Sequence, residues 1–339
     1  MMCNKLQAGI RGIGVYVPER VLTNQELENM VDTNDEWIIT RTGIRERHIA
    51  ASGQATSDLA TIAAERSLLD AGLTAGEIDL IIIATNTPDM LFPATACLVQ
   101  DRLGVKKAGA FDLQAGCTSF LYGLVIASQF VETGFSKNVL LIGAECLSRV
   151  TNYQERNTCV LFGDGAGAVV VGSVPPGYGV LSSNLRSDGS GGHLLTLPAG
   201  NSRLPASHET VERKLHYIHM NGKEIFKFAV RAIEENCLEV LAAAGLSLNN
   251  LDFFIPHQAN IRIIEAIAKR LSLASEKVAI NIDRYGNTSV ATIPLALYEA
   301  LQEERIRDGE HVVMASFGAG LTWGAVVMRW YDYRNHSNG

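Results

Sequence analysis

Gly116-Cys117-Thr118-Ser119 and Gly286-Asn287-Thr288-Ser289 are near copies of one four-residue stretch and differ only at the second position. Each copy follows a short run rich in apolar residues and precedes an apolar-periodic segment with few charges. That order is typical of a strand, a tight turn at glycine and a buried helix. The sequence therefore predicts that Cys117 and Asn287 lie at equivalent helix N-termini.

The repetition extends outward from these two turns. The stretches AGLTAGEIDLIIIATNTPD (71–89) and AGLSLNNLDFFIPHQANIR (244–262) share Ala-Gly-Leu and an Asp that precedes an apolar strand, and NVLLIGAE matches HVVMASFG further along. Three blocks repeated in one order indicate an internal duplication. We therefore predict an α/β protein of two similar halves, residues 1–174 and 175–339, which divide near the turn VPPGYG. The active centre is expected where their equivalent loops meet.

Cys117 is a candidate nucleophile because of its predicted position. A helix start presents unpaired N–H groups and a partial positive charge, which favour a thiolate over a thiol. His257 follows the strand FFIP, which the duplication aligns with residues 80–83, so its loop should open on the same face as Cys117 and Asn287. A core histidine and a capping asparagine are ordinary features when they occur alone. Three such residues at equivalent loops favour one catalytic site.

The chain order Cys, His, Asn does not identify the chemistry by itself, because papain-like proteases share it. The protease signature C-G-[SA]-C-[WY] is absent, and Cys117 lies far from the N-terminus. The sequence also has no secretory or disulfide pattern. The protease context is therefore missing.

The composition excludes several classes of protein. A formal net charge of −7 argues against a nucleic-acid-binding protein, which usually carries an excess of Lys and Arg on one face. Six scattered cysteines, without a CxxC pair or Cys/His ligand spacing, indicate neither a disulfide framework nor a zinc site. No stretch approaches the ~20 apolar residues of a membrane span. A soluble protein of the reducing cytoplasm, without a metal, is expected.

Trp37, Arg41, Arg45 and Arg47 lie close together in the sequence and allow two interpretations. The first is a solvated loop anchored by one tryptophan. The second is a site for a planar, phosphorylated ligand, because Trp offers a stacking face and Arg a fork for phosphate. The residues alone do not decide between them.

Three other segments lead to expectations about the surface. Phe92, between Met90-Leu91 and Pro93, is a candidate for an exposed apolar loop tip, although a core role is equally consistent with its sequence. Residues 187–210 are rich in Gly, Ser and Pro without a clear period, which predicts a long surface excursion. The helix after His257 places Arg262 and Lys269 on one face.

The stretches VDTNDEWIITRTGIRERHIA, FGDGAGA, LLTLP, PHQANIRII, DRYGNTS and FGAGLTWG occur in this order along the chain. Together they resemble β-ketoacyl-acyl carrier protein synthase III, the condensing enzyme that starts bacterial fatty-acid synthesis. The resemblance covers essentially the whole chain. It implies a thiolase-like fold, a five-layer αβαβα sandwich of two related halves, in agreement with the duplication.

The resemblance also implies a role for each candidate catalytic residue. Cys117 would accept the acyl group of an acyl-CoA. His257 and Asn287 would promote decarboxylation of malonyl-acyl carrier protein by donating hydrogen bonds to the enolate. The backbone N–H groups of Cys117 and Ala319 would stabilise the oxyanion. The product would be a β-ketoacyl-acyl carrier protein, and no cofactor is implied beyond the coenzyme A thioester.

Binding residues are implied in three groups. The expected coenzyme A contacts are Thr33, Trp37, Arg41, Arg156, Gly222, Phe226 and Asn260. The carrier protein is acidic in this family, so a local basic patch is expected, and the implied contacts are Gln258, Ala259, Asn260, Ile261, Arg262, Lys269 and Lys227. Phe92 is expected at a homodimer interface and acyl pocket.

Two positions depart from the family pattern. Ser119 stands where many members have Gly, and Ala319 lies within what is often a glycine triplet. Either residue keeps its backbone N–H, so we expect an altered pocket shape and retained activity. A condensing enzyme of secondary metabolism and a non-catalytic partner subunit are alternatives, but the presence of Cys117, His257 and Asn287 argues against the second.

Overall fold

The computed structural model describes residues 6–336 of the chain. Thirteen strands lie within that range. They are β1 (Gln7–Tyr16), β2 (Arg20–Thr23), β3 (Glu46–Ile49), β4 (Leu80–Ala84), β5 (Gly109–Leu113), β6 (Asn138–Glu145), β7 (Gly165–Val174), β8 (Gly179–Ser187), β9 (Leu195–Thr196), β10 (His219–Met220), β11 (Phe253–Pro256), β12 (His311–Gly318) and β13 (Thr322–Arg329).

Twelve α-helices lie in the same described range. They are α1 (Asn24–Glu28), α2 (Asp35–Thr42), α3 (Thr56–Ala71), α4 (Thr95–Arg102), α5 (Ser119–Glu132), α6 (Arg156–Cys159), α7 (His208–Glu212), α8 (Gly222–Ala243), α9 (Ile261–Arg270), α10 (Ile282–Tyr285), α11 (Thr292–Gln302) and α12 (Tyr333–His336).

Two larger sheets share one pairing pattern. The first has the order β1-β7-β6-β4-β5, and the second has the order β8-β13-β12-β11. In each sheet two antiparallel pairings, β1-β7-β6 or β8-β13-β12, are followed by a parallel pairing, β6-β4 or β12-β11. The repeated sequence blocks form β4 with β11 and β6 with β12, so the predicted duplication is confirmed.

The helices and sheets stack in five layers. One face of the first sheet packs against α3 and α4 through a buried cluster that includes Leu59 and Ile81. Its other face shares a core with α5, α11 and the second sheet, in which Phe120, Ile293 and Met314 are buried together. The far face of the second sheet packs against α8 and α9. The arrangement is the expected αβαβα sandwich, with α5 and α11 as its central layer.

The all-apolar strand β4 shows why the layers form. Each of its five residues is buried, because alternate side chains enter the cores on opposite faces of the sheet. Helices on both faces keep that strand from water. The strands of the first sheet lie within residues 7–174 and those of the second within 179–329, while the division into halves at residue 174 stays a prediction.

The turns that precede the two central helices are held by glycines with left-handed backbone angles. Gly116 has φ +58° and Gly286 has φ +63°, a region that side chains with a Cβ rarely adopt. Cys117 follows the first glycine and lies just before α5. Asn287 follows the second and precedes a short 3₁₀ turn, Ser289–Ala291, that leads into α11. The predicted equivalence of the two positions is confirmed.

Three surface expectations have different outcomes. The loop tip is confirmed, because Phe92 is 83% exposed and its neighbours Met90 and Leu91 are exposed too. The interpretation of residues 187–210 as a surface excursion is wrong in part, because Leu195 in this segment reaches an internal cavity beside Cys117. Apolar side chains in LLTLP anchor the segment inward.

Arg47 belongs to the core and not to a ligand site. Its side chain is fully buried and donates hydrogen bonds to the carbonyl oxygens of Leu22 and Val160 and to Asn24 Oδ1. Burial lowers the pKa of its guanidinium to about 10. These three bonds hold the guanidinium in place and leave its Nε–H without a hydrogen-bond partner among the described residues.

Two general features complete the fold. Within residues 6–336, no helix combines the length and the hydrophobicity that a transmembrane span requires. Cys3 lies outside the described residues, and the five cysteines inside that range are unpaired thiols.

Candidate active site

Cys117, His257 and Asn287 line one cavity of about 120 Å³ between the two halves of the sandwich. Cys117 comes from the turn before α5, His257 from the end of β11, and Asn287 from the turn before α11. The duplicated topology brings these three loops to the same edge of the two sheets. The three residues that the sequence singled out are therefore brought together.

Cys117 is held from two sides. The hydroxyl of Ser289 lies 3.3 Å from its Sγ atom, and the hydroxyl of Ser316 donates a 2.9 Å hydrogen bond to its carbonyl oxygen. Burial raises the pKa of the Cys117 thiol to about 12, although the contact with Ser289 acts in the opposite direction. The expectation that the helix start favours a thiolate is therefore wrong for the free enzyme, because burial outweighs it. The thiol needs a proton acceptor before it can act as a nucleophile.

His257 is buried and neutral. Its backbone N–H donates to the carbonyl of Ala315 in the neighbouring strand at 2.8 Å, and its ring makes an edge contact with Phe317 at 5.4 Å between centroids. Burial lowers the pKa of the imidazole to about 3. At neutral pH the ring therefore carries one proton, on either Nδ1 or Nε2.

Thr292 determines which ring nitrogen carries that proton. Its Oγ1 lies 2.7 Å from His257 Nδ1 and 2.9 Å from the carbonyl oxygen of Ser289. The hydroxyl has one proton and can donate to only one of these neighbours. When it donates to Nδ1, the ring proton is on Nε2, the nitrogen left for the cavity. When it donates to Ser289, Nδ1 keeps the proton and Nε2 is an acceptor.

Asn287 is oriented by its own turn. Its Oδ1 accepts a 2.8 Å hydrogen bond from the backbone N–H of Ser289, which leaves the NH₂ group available to the cavity. Its backbone N–H donates to the carbonyl of Leu161, and its carbonyl accepts from the N–H of Gly163. The turn from FGDGAGA thus supports the turn from DRYGNTS. Asn287 can present a donor next to Cys117 without rearrangement.

The backbone around Ala319 lies against the Cys117 turn. A Cβ atom placed on Gly116 would come within 2.5 Å of Ala319 N, and one placed on Gly318 would come within 2.3 Å of Cys117 N. Ala319 also lines a second cavity of about 150 Å³ together with Cys117 and Ser289. The two N–H groups expected to form the oxyanion hole are therefore neighbours, and their role stays a prediction.

The expectation that Ser119 alters the pocket is wrong. Its hydroxyl donates to the carbonyl of Gly116 at 2.6 Å and accepts from the N–H of Ala115 at 2.6 Å. The side chain is fully committed to the turn, and it lines neither of the two cavities beside Cys117. Its effect is to brace the nucleophile's backbone.

A third, larger cavity of about 860 Å³ leads outward from the catalytic residues. It shares wall residues with the inner cavity, so the two form one passage from the surface to Cys117. The shared residues are Leu161, Met220, Gly222, Phe226 and Asn260. The outer part is also lined by Trp37 and by the basic side chains of Arg41, Lys223, Lys227 and Arg262. A long ligand with a negatively charged outer end would suit this passage.

The indole of Trp37 lies among cations. The guanidinium carbon of Arg156 is 4.8 Å from the ring centroid, and that of Arg41 is 5.7 Å from it. Arg156 also donates to the carbonyl of Asp32. The hydroxyl of Thr33 is buried and has no hydrogen-bond partner among the described residues. This arrangement favours the ligand-site interpretation for Trp37 and Arg41.

The expected carrier-protein contacts divide into exposed and buried groups. Arg262, Lys269 and Lys227 are exposed, as a docking surface requires. The prediction that Gln258 is a surface contact is wrong. This residue is 1% exposed, and its side-chain NH₂ group donates hydrogen bonds to the carbonyls of Pro256 and Ala279. It directly follows the buried His257, and its hydrogen bonds help to hold the loop that carries that histidine.

The remaining predicted residues have internal contacts as well. Ile261 packs against Gly43, whose added Cβ would approach the Ile261 side chain to 2.6 Å. Asn260 caps α9 through Arg262 N and donates to the carbonyl of Arg41. Ala259 lines the inner cavity. These three residues join α9 to α2 and to the passage, and their contact with a carrier protein stays a prediction.

Sequence reasoning missed several residues of the site. Thr292 and the hydroxyl of Ser289 hold catalytic side chains, and Met220 and Phe317 line the cavity. Glu145 is fully buried near Cys117 and raises the pKa of its thiol, as a minor cause beside burial. The only signal for Ser289 was its place in the repeated four-residue stretch.

The αβαβα sandwich and its Cys-His-Asn cavity define a condensing enzyme of the thiolase fold. Two family models match the chain: "3-oxoacyl-[acyl-carrier-protein] synthase III" over residues 111–189 and its C-terminal counterpart over 241–330. A β-ketoacyl-acyl carrier protein synthase III of Caldanaerobacter subterraneus is 58% identical over 97% of this chain and 99% of its own. The chain therefore belongs to the β-ketoacyl-acyl carrier protein synthase III family.

Solved structures agree with this assignment. The synthase III of Thermus thermophilus is 51% identical, with a TM-score of 0.89 over 95% of this chain and 99% of its own. The priming β-ketosynthase of the R1128 polyketide pathway has the same TM-score of 0.89, but its sequence identity is 34% over 97% of each chain. The fold is thus common to both kinds of enzyme, while the sequence is closer to the Thermus thermophilus synthase III than to the polyketide enzyme.

Proposed function

We propose that this protein condenses an acyl-CoA primer with malonyl-acyl carrier protein, through an acyl-Cys117 intermediate, and so initiates fatty-acid synthesis. The observation that carries the proposal is the meeting of Cys117, His257 and Asn287 at the inner end of a passage whose mouth is basic. The 58% identity to the synthase III of Caldanaerobacter subterraneus, against 34% to the polyketide enzyme, favours primary over secondary metabolism. The polar trio disfavours a non-catalytic subunit.

In the first half-reaction the Cys117 sulfur attacks the thioester carbonyl of the acyl-CoA. The negative charge that develops on the carbonyl oxygen is stabilised by the N–H groups of Cys117 and Ala319. Coenzyme A leaves as a thiolate, and the acyl chain occupies the cavity of about 150 Å³ beside Cys117. Its walls include Leu147, Leu197 and Ile218, which suits a short apolar chain.

In the second half-reaction the malonyl group loses CO₂ and becomes an enolate. The NH₂ group of Asn287 and Nε2–H of His257 donate to the enolate oxygen, and the Thr292 hydroxyl supports that ring tautomer by donating to Nδ1. The enolate carbon attacks the acyl-Cys117 thioester, and the Cys117 sulfur leaves. The proposal includes no resident metal or redox cofactor, and the acceptor of the Cys117 proton is a further group beyond those named in these two steps.

The passage explains how a coenzyme A thioester reaches Cys117. Arg41 and Arg156 near Trp37 supply positive charge and an aromatic face for the nucleotide. Gly222, Phe226 and Asn260 line both cavities and are placed for the pantetheine arm. The buried, unpartnered hydroxyl of Thr33 fits a polar ligand contact.

We further propose that an acidic acyl carrier protein docks on the exposed cations near the mouth, with Arg262 as the central residue. The exposed Met90, Leu91 and Phe92 form an apolar tip that suits a homodimer interface, which would cover it. We also propose a cytoplasmic location, which the proposed substrates and the unpaired cysteines among the described residues support.

Intact mass spectrometry tests the proposal. The protein is mixed with acyl-CoAs from acetyl to branched and straight longer chains, and an acyl mass on Cys117 is expected for at least one. The Cys117→Ala variant is the control and should acquire none. Addition of malonyl-acyl carrier protein to the acylated protein should release a β-ketoacyl-acyl carrier protein. If no acyl-CoA modifies the wild type, or if the acyl group stays on after malonyl addition, the proposed function is wrong.

A further inference from the structure

Glu145 is a buried acid beside the site that the proposed mechanism does not use. It ends β6 and its side chain is fully buried. Asn86 donates to it through its backbone N–H and, at 2.6 Å, through its side-chain NH₂. Thr87 donates at 2.6 Å and Thr85 at 3.4 Å. Such a set of donors suits a carboxylate, which accepts hydrogen bonds and has none to give.

Ser289 connects this carboxylate to the nucleophile. Its hydroxyl lies 3.3 Å from Cys117 Sγ and accepts a 3.3 Å contact from the Asn86 amide, which also donates to Glu145. The Ser289 hydroxyl is close enough to Glu145 to lower the pKa of that carboxyl. The hydroxyl has one proton, which it can give to the sulfur or to the carboxylate. Ser289 also has φ +52°, a left-handed conformation that is costly for a residue with a Cβ. In this backbone conformation the Ser289 hydroxyl lies beside both Cys117 and Glu145.

We propose that Ser289 and Glu145 form the proton path of Cys117, with Ser289 as a catalytic residue and Glu145 as the acceptor that acts through it. This inference rests on the proposed function, since it supplies the proton acceptor that acylation requires.

Acylation of Cys117 moves two protons along this path. As the Cys117 sulfur forms its bond to the acyl carbon, its proton moves to Ser289 Oγ, and the Ser289 proton moves to a Glu145 oxygen. The S–H electron pair becomes the new S–C bond, and coenzyme A departs with the electrons of the broken thioester bond. The released coenzyme A thiolate takes a proton from solvent. Glu145 is then neutral for as long as Cys117 carries the acyl group.

The path runs in reverse during condensation. The enolate carbon attacks the acyl carbon, the S–C bond breaks, and Cys117 leaves as a thiolate. The proton held by Glu145 returns through Ser289 to the sulfur, which restores the starting state. A neutral Glu145 during decarboxylation also removes one negative charge from the neighbourhood of the enolate, where it would oppose the developing charge.

Burial makes Glu145 a suitable acceptor. It raises the pKa of this carboxyl, while the bonds from Thr87 and Asn86 act in the opposite direction. A carboxyl with a raised pKa accepts a proton more readily than an exposed one. His257 is a weaker candidate for the same task, because burial lowers the pKa of its ring to about 3 and its Nδ1 is engaged with Thr292.

Single-turnover acylation of Ser289→Gly and Glu145→Gln tests the path. Glycine removes the hydroxyl, relieves the left-handed strain, and keeps the backbone N–H that holds Asn287. The acyl-CoA that modifies the wild type fastest is used, with intact mass as the readout. Each variant should acylate about 100-fold more slowly, and the double variant should be no slower than either, because both residues serve one path.

Two readouts separate a proton path from structural support. Acylation of the wild type should be slower in deuterated solvent, and its rate should depend non-linearly on the deuterium fraction, because two protons move in the same step. For Glu145→Gln this dependence should become linear. Decarboxylation of malonyl-acyl carrier protein by unacylated Ser289→Gly should stay within about threefold of the wild-type rate, since the enolate donors remain. Glu145→Asp should recover part of the acylation rate.

Asp164→Asn is the matched control. Asp164 is also a fully buried carboxyl, held by Ala50 N at 2.7 Å and by Ser148 N at 2.8 Å, and its hydrogen bonds do not include Cys117. It should acylate like the wild type at a temperature where it is folded. The inference is overturned if Ser289→Gly or Glu145→Gln acylates at the wild-type rate, or if decarboxylation falls in parallel with acylation. A wild type that no acyl-CoA modifies would overturn the proposed function instead.

Discussion

Asn287 Oδ1 accepts a 2.8 Å hydrogen bond from the backbone N–H of Ser289, two residues further along the same turn. The bond fixes the amide so that its NH₂ group is the part free for a ligand. It also removes the need for any other side chain to orient Asn287. The donor proposed for the enolate is thus set before substrate binds, as electrostatic preorganisation requires.

Asn287→Ala should lose most condensation and keep most acylation. The enolate oxygen loses a preorganised donor, which costs about 100- to 1000-fold in rate at comparable sites, whereas attack by Cys117 does not use this amide. Acyl transfer measured by intact mass and condensation measured by product release would separate the two effects. Equal losses in both half-reactions would contradict the assigned role.

Thr292→Val should slow decarboxylation more than it slows acylation. Valine keeps the shape but removes the hydroxyl that lies 2.7 Å from His257 Nδ1, so the ring loses the partner that holds Nε2 as the donor. Thr292→Ser should restore most of the rate. Nitrogen NMR of labelled histidine would report the tautomer directly. An unchanged decarboxylation rate with an unchanged tautomer would count against Thr292 as a positioning residue.

Because the His257 ring is buried and neutral, the protein should become less stable in mild acid. Its folded pKa of about 3 lies below the ordinary value of 6.5, so only the unfolded chain binds a proton between them. Stability is full above pH 6.5 and is lost as pH falls toward 3, by roughly 1.4 kcal/mol per pH unit from this residue. Urea unfolding of the wild type and of His257→Gln at pH 7 and pH 5 would test this. The wild type should lose about 2 kcal/mol more than the variant, and equal losses would mean that His257 is not held neutral.

Gly116→Ala should damage both stability and acylation. Gly116 has φ +58°, and an added Cβ would lie 2.5 Å from Ala319 N and 2.7 Å from Ala319 O, so the backbone beside Cys117 must move. We expect a loss of about 2–4 kcal/mol and at least a tenfold slower acylation. Gly134→Ala is the matched control, with φ +73° and nothing within 4 Å of the added atom.

The control separates strain from contact. Gly134→Ala should lose about 1–2 kcal/mol from its backbone conformation alone and acylate normally. If both variants lose the same stability and neither slows acylation, the close approach of the Gly116 and Ala319 backbones is not important for the site.

The sequence predicted the duplication and the meeting of Cys117, His257 and Asn287 in one cavity because both depend on local patterns. The repeated turn, the apolar run of β4 and the glycines at positions 116 and 286 specify strand, turn and helix without knowledge of distant contacts. The thiol pKa was predicted wrongly, because a helix start is visible in the sequence and the burial of Cys117 is not. Helix-end electrostatics is a local effect, while desolvation depends on the whole fold.

Supporting residues were missed for the same reason. Glu145 lies at the end of a mostly apolar strand, and nothing near it in the sequence indicates that its carboxyl approaches Ser289 in the other half of the chain. Gln258 was assigned to the surface because it follows His257 in the motif HQAN, although its side chain turns inward to bond Pro256 and Ala279. A motif gives the neighbours in sequence, and the fold decides the direction of each side chain.

The basic residues at the mouth of the passage bear on docking of the carrier protein. This chain carries a net charge of −7, so an acidic partner is repelled at long range and needs a local basic surface. Arg262 is exposed, lies in the first turn of α9 and lines the outer cavity, whereas the nearby Arg270 and Lys227 are paired with Glu234 and Glu224. Arg262 is therefore an exposed cation at the mouth that is available to a docked partner.

Arg262→Glu should raise the KM for malonyl-acyl carrier protein severalfold and make that KM less dependent on salt. The reason is that an attractive charge at the mouth of the passage becomes repulsive. Acylation of Cys117 by a small acyl-CoA should change less, since the proposed nucleotide contacts Trp37, Arg41 and Arg156 are unchanged. Arg213→Glu is the control, because Arg213 is an exposed arginine beyond α7 whose reversal changes the net charge equally. Steady-state kinetics at low and high salt, with each substrate varied in turn, would distinguish the two variants. If both raise the carrier-protein KM alike, the effect comes from total charge and Arg262 has no special place in docking.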